Sequence, residues 1–218
     1  MIIYLFLIGF ALGLGYAYIG EKLPLLIPEV KEKEENSWIL NLFIGVINSL
    51  ILLISYYNYG MNYEFLSTIV IAGLVLIVFI SDFKYMIILD SPLIVSGVLI
   101  LILKYYYFGL KNVGLSILSG LILFSFMYII GFLGTKIFKK EALGGGDIKL
   151  SAIIGIILEW KLGFIAIIMS SLLAMPYALA SLMLGKDKEV PYGPFLIGSM
   201  ALIFIFSDKF TNMLNFLL

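Results

Sequence analysis

The stretch Phe65-Leu-Ser-Thr-Ile-Val-Ile-Ala-Gly-Leu-Val-Leu-Ile-Val-Phe-Ile-Ser81-Asp82 is apolar almost without interruption until it meets a carboxylate. A run of this kind approaches the ~20 residues that an α-helix needs to cross the ~30 Å hydrocarbon core of a bilayer. In lipid, a helix satisfies every backbone N–H and C=O within the segment, so the run specifies a membrane helix. An ionisable residue at its end is costly, and its default reading is a functional site.

Working outward, the same pattern recurs along the chain. Apolar segments lie at residues 2–20, 38–57, 65–81, 92–108, 113–135, 142–161, 162–184 and 193–215. The composition, 62% hydrophobic and 13% charged with mean hydropathy +1.13, is far from that of a soluble domain. Together these predict an all-α, polytopic membrane helix bundle of about eight transmembrane helices, with seven possible, in a single integral membrane domain over 1–218. The first segment lacks a positive leading region, and its charges, Glu21 and Lys22, follow the apolar run. It therefore reads as a span and not as a cleaved signal. Zero net charge implies no nucleic-acid partner. The absence of Cys and His excludes disulfides, a thiol nucleophile and a Cys/His zinc site.

Lysine placement predicts orientation. Counting eight spans, Lys22, Lys31, Lys33, Lys84, Lys136, Lys139, Lys140, Lys149, Lys186 and Lys188 fall on one side, and Lys104, Lys111, Lys161 and Lys209 on the other. The lysine-rich side is assigned to the cytoplasm, which puts both termini outside and Asp82 and Asp147 on the cytoplasmic side.

Asp147 follows Gly144-Gly145-Gly146, glycines expected to let the backbone turn tightly and approach a ligand closely. From Ile148 to Leu158 the apolar run is only about half a crossing long. Either the helix starts nearer Ala142 and draws Asp147 below the membrane surface, or the segment is re-entrant and covered by protein or water. The span length makes Asp147 the better choice for an initially protonated carboxyl. Two adjacent carboxylates cannot both ionise, so one holds a proton while the other acts as base. Such a pair activates water against an amide without metal or covalent intermediate. A phosphate cradle on the glycines is disfavoured, because the helix would open with an aspartate and no Walker pattern follows. Gly9, Gly13 and Gly73 read as helix-packing positions, and the charged stretch Glu29–Glu35 as a solvated loop.

Gly144-Gly145-Gly146-Asp147-Ile148-Lys149 resembles the Gly-x-Gly-Asp-x-Lys signature of the type IV prepilin peptidases, a family of membrane aspartic proteases. Asp82-Phe83-Lys84-Tyr85-Met86-Ile87-Ile88-Leu89-Asp90 resembles that family's first aspartate motif, with Leu89 where proline is expected. Pro191-Tyr192-Gly193-Pro194-Phe195-Leu196 resembles its Pro-Phe-Gly-Pro-Phe-Leu block, and Ile8 to Pro24 its opening helix. The resemblance implies a peptidase that removes the short basic leader of type IV prepilins or pseudopilins at the cytoplasmic face of a prokaryotic inner membrane. Asp82 and Asp147 would be the catalytic pair. Gly144, Gly145, Gly146, Lys149, Pro191, Gly193 and Pro194 would be motif or substrate-contact residues, and no metal or cofactor is implied. Many members also methylate the new N-terminus with a large cytoplasmic domain between the first two spans. Here that connection is a short charged cytoplasmic loop, 21–37, too small to fold as a methyltransferase. An archaeal preflagellin peptidase, from a closely related group in which fewer spans are expected, is an alternative. An alternative from another class is a small proton- or sodium-coupled transporter with a glycine-broken helix.

Overall fold

A computed structural model of the chain describes residues 1–28, 30, 38–140, 142–183, 191–207 and 209–212. The acidic loop residues Glu29, Glu32, Glu34 and Glu35, and Lys186 and Lys188, lie outside these. The described residues form α1 (Ile2–Lys22), a 3-10 turn (Leu23–Leu26), α2 (Trp38–Tyr59), α3 (Tyr63–Tyr85), α4 (Asp90–Phe108), α5 (Leu110–Phe138), α6 (Gly145–Met183) and α7 (Gly193–Ile205), with no strand among them. Six of the helices, α1 to α6, are long and apolar enough to cross a membrane. The chain is a polytopic membrane helix bundle. Its contacts gather in two compact units, residues 1–109 and 110–218.

In the first unit, α1 and α2 approach closely because small residues repeat every fourth position. A Cβ on Gly13 would lie 2.8 Å from the Gly45 Cα, and one on Gly9 would lie 2.8 Å from the Ser49 Cα. Close backbone approach of this kind replaces the hydrophobic driving force that lipid does not supply between helices. Polar side chains add to it. The fully buried Asn48 donates from Nδ2 to the Gly9 carbonyl at 2.7 Å, and Ser49 Oγ donates to Gly45 at 2.8 Å and Phe6 at 3.0 Å. Gly73 on α3 makes room for the Tyr16 ring, which would stand 2.8 Å from an added Cβ. All three glycines read as packing positions do pack helices.

In the second unit, α5 and α6 meet through Gly120 and Gly155, where a Cβ on Gly155 would lie 2.7 Å from the Gly120 Cα. Ser151 Oγ donates to the Leu123 carbonyl at 3.3 Å. The long α6 is two arms. Glu159 has φ 64° and ψ 170°, a region almost reserved for glycine, and breaks the helix. A Cβ on Gly163 would lie 3.7 Å from Ile154 Cγ2. In a straight helix those residues stand about 13 Å apart along the axis, so the chain folds back at Glu159. Contacts to α5 agree: Ile148, Ser151 and Ile156 meet Gly131, Leu123 and Gly120 in descending order, and Phe164 then returns to Phe126.

The fold-back matches the reversal expected between the sixth and seventh segments and moves it to Glu159. The first arm begins at Gly145, not near Ala142, and its run to the break spans about 20 Å, short of a full crossing. Segment eight is interrupted: α7 ends at Ile205 with Phe206 as its cap, and helical residues resume at Ser207 and over 209–212. Residues 213–215 of that segment lie outside the described residues. The charged loop also starts later than residue 21, because Glu21 and Lys22 complete α1 and Leu23–Leu26 continue as the 3-10 turn.

Candidate active site

Asp82 lies in the last turn of α3 and is 6% exposed. The helix ends there because Met86 adopts the left-handed conformation (φ 57°, ψ 39°) and donates its N–H to the Asp82 carbonyl at 2.8 Å. A non-glycine residue in that region costs roughly 1–2 kcal/mol. Residues 87–89 then run without helix to α4, which opens with Asp90. Leu89, standing where the family pattern has proline, is buried at the α4 N-cap with ψ 134°, an extended backbone.

Around this turn the structure adds Glu21, which the sequence reading left in a loop, and Asn41 from the start of α2. Glu21, at the end of α1, is buried, and its Oε1 lies 3.5 Å from Lys84 Nζ. Asn41 Nδ2 donates to Glu21 Oε2 at 3.4 Å. The signal was present in the sequence: Gly9, Gly13, Ala17 and Glu21 recur every fourth residue, so Glu21 continues the packed face of α1.

Asp147 belongs to the second unit, in the first turn of α6, and is 9% exposed. Gly144 caps that helix: its carbonyl accepts from Asp147 N at 3.1 Å and Ile148 N at 3.4 Å. The Asp147 side chain folds back over the cap, so that a Cβ on Gly144 would lie 3.0 Å from Oδ2. Between Gly144 and Gly145, it is Gly144 whose added Cβ would crowd the aspartate. Neither Gly144 nor Gly145 has a positive φ, so a tight left-handed turn is not what they supply. A Cβ on Gly145 would meet nothing within 4 Å. Gly145 instead lines an open cleft of about 420 Å³ with Tyr128, Phe132, Leu143 and Ile148. Thr135 Oγ1 accepts the Ala142 N–H at 3.3 Å and ties the approach to the glycines onto α5. Lys149 is exposed.

The proline block sits in the same unit as Asp147. Tyr192 is the N-cap of α7, and its carbonyl accepts from Phe195 N at 3.1 Å and Leu196 N at 3.0 Å. Gly193 and Pro194 occupy the first turn, where a missing N–H is harmless, so the block does start a helix. The Tyr192 hydroxyl lies 2.6 Å from Ser170 Oγ and 3.2 Å from Ser171 Oγ on the second arm of α6. Proline and glycine mark this block in the sequence, whereas the tie that Tyr192 makes to α6 is a tertiary contact.

Residues 69–179, just over half of the chain and including both aspartates, match the type IV leader peptidase family. The chain is also similar to the prepilin leader peptidase/N-methyltransferase of Bacillus subtilis (strain 168), at 26% identity over 161 residues. The match covers 70% of this chain and 60% of that protein, so the chain spans less than two thirds of its relative. No solved structure matches the chain. With both aspartates at helix ends inside the matched region, and membrane-length helices around them, this multi-pass membrane protein belongs to the type IV leader peptidase family.

Proposed function

We propose that the protein is an aspartic endopeptidase that removes the short basic leader from prepilin-like substrates at the cytoplasmic face of the membrane, with Asp82 and Asp147 as its catalytic pair. The observation that carries this reading is the buried Asp147 carboxylate, folded over Gly144 at the opening of α6 in a chain of this family. The lysine-rich side of the sequence, which includes Lys84 and Lys149 beside the two aspartates, supports a cytoplasmic site.

The two carboxylates share one proton. The ionised one takes a proton from water as the water oxygen bonds to the scissile carbonyl carbon, and the protonated one gives its proton to the carbonyl oxygen. Collapse of the tetrahedral intermediate breaks the C–N bond, and the proton taken from water passes to the departing amine. Water is consumed, and the shared proton returns to the pair.

The short connection between α1 and α2 supports peptidase activity without methyl transfer. The test is co-expression with prepilins, then incubation of the purified protein with prepilin and S-adenosylmethionine, read by intact mass. The expected product is the leaderless chain with a free, unmethylated amine. An uncut prepilin refutes the peptidase, and a cleaved product one methyl group heavier refutes the short-loop argument.

A further inference from the structure

We propose that Glu21 is a positioning residue for Asp82, acting through Lys84; the inference rests on the peptidase reading above. Glu21 is a charged side chain buried at the end of a membrane helix, with one carboxylate oxygen on Lys84 Nζ and the other on Asn41 Nδ2. Three helix ends therefore converge on a single carboxylate: the C-terminal end of α1, the N-terminal turn of α2 and the C-terminal turn of α3. Lys84 stands two residues after Asp82 in that last turn.

Stability does not account for this cluster. A buried ion pair recovers its desolvation cost only with excellent geometry, and a 3.5 Å separation is not that. Asn41 adds a cost of its own, since its Oδ1 is buried and faces no donor among the described residues. Its amide cannot simply be turned around, because that would set oxygen against the Glu21 carboxylate. What the cluster does supply is position. The Met86 cap fixes the turn's backbone locally, while Glu21 fixes where that turn stands relative to α1 and α2. A general acid or base misplaced by about 1 Å loses up to a hundredfold in rate, so a distant clamp on this turn reads out in turnover.

The experiment uses the full-length protein in detergent with a purified prepilin. Glu21→Gln and Lys84→Gln are each expected to lower kcat about tenfold or more while KM stays within about twofold. The reversed pair, Glu21→Lys with Lys84→Glu, is expected to restore kcat to within about threefold, because Asn41 then turns its amide to accept from the new lysine. Tryptophan fluorescence on heating identifies variants that have lost the fold, and recovery in the reversed pair separates position from mere destabilisation. Wild-type kcat in both single variants overturns the inference, as does a loss confined to KM or a reversed pair no better than the singles. Cleavage by Asp82→Asn would instead remove Asp82 from the catalytic pair, and the inference with it, whereas a prepilin left uncut by the unmodified protein would refute the peptidase reading itself.

Discussion

Asp82 and Asp147 are both buried carboxylates at helix ends, but at opposite ends and held by opposite means. Asp82 closes α3, and its turn is secured by residues from elsewhere, Glu21 and Asn41, through Lys84. Asp147 opens α6, and its side chain is accommodated locally by Gly144, three residues earlier. The difference explains why one motif is compact in sequence and the other is not. A helix start can build a carboxylate site from its own cap, whose free N–H groups favour the charge. A helix end offers carbonyls instead, so a carboxylate there depends on cations and neighbouring helices.

The largest effect that would break this comparison is on catalysis. Asp82→Asn and Asp147→Asn are each expected to lower cleavage at least a thousandfold, since an amide neither takes nor gives the shared proton. Near-wild-type turnover by either purified variant removes that aspartate from the pair.

Next in size is the contrast between two adjacent glycines. Gly144→Ala sets a methyl group 3.0 Å from Asp147 Oδ2 and is expected to lower kcat about tenfold by displacing the carboxylate. Gly145→Ala meets open space and is expected to stay within about twofold of wild type. Equal effects at the two positions would show that the glycines serve something other than room for Asp147.

The smallest effect sharpens the electrostatic side. Asp147→Asn removes a charge from a helix start and is expected to lower stability by about 0.3–1 kcal/mol. Asp82→Asn, at a helix end, is expected to leave stability unchanged or raise it slightly. Denaturation in detergent at low ionic strength measures both, and a larger loss for Asp82→Asn would contradict this contrast between the two helix ends.

Much of this protein was legible in its sequence because lipid enforces a simple rule. A long apolar run in a bilayer must be helical, so the helices, their order and their approximate limits followed from hydropathy alone. Both aspartates, the glycine run and the Pro191–Pro194 helix start were visible for the same reason, as polar or conformationally special residues breaking an apolar background. The packing of Gly9 and Gly13 was legible through their four-residue spacing. Tertiary structure decided what depends on contacts between segments distant in sequence. The fold-back at Glu159 needs an unusual backbone conformation at a glutamate, which no residue preference announces. The pairing of Glu21 with Lys84 joins positions 63 residues apart, and the tie from Tyr192 to Ser170 crosses from one helix to another. The closeness of Gly144 to the Asp147 carboxylate likewise depends on where that side chain lies. Hydropathy determines which segments are helices, because the solvent acts on each segment separately; which side chains meet is set by packing, because it depends on all the segments at once.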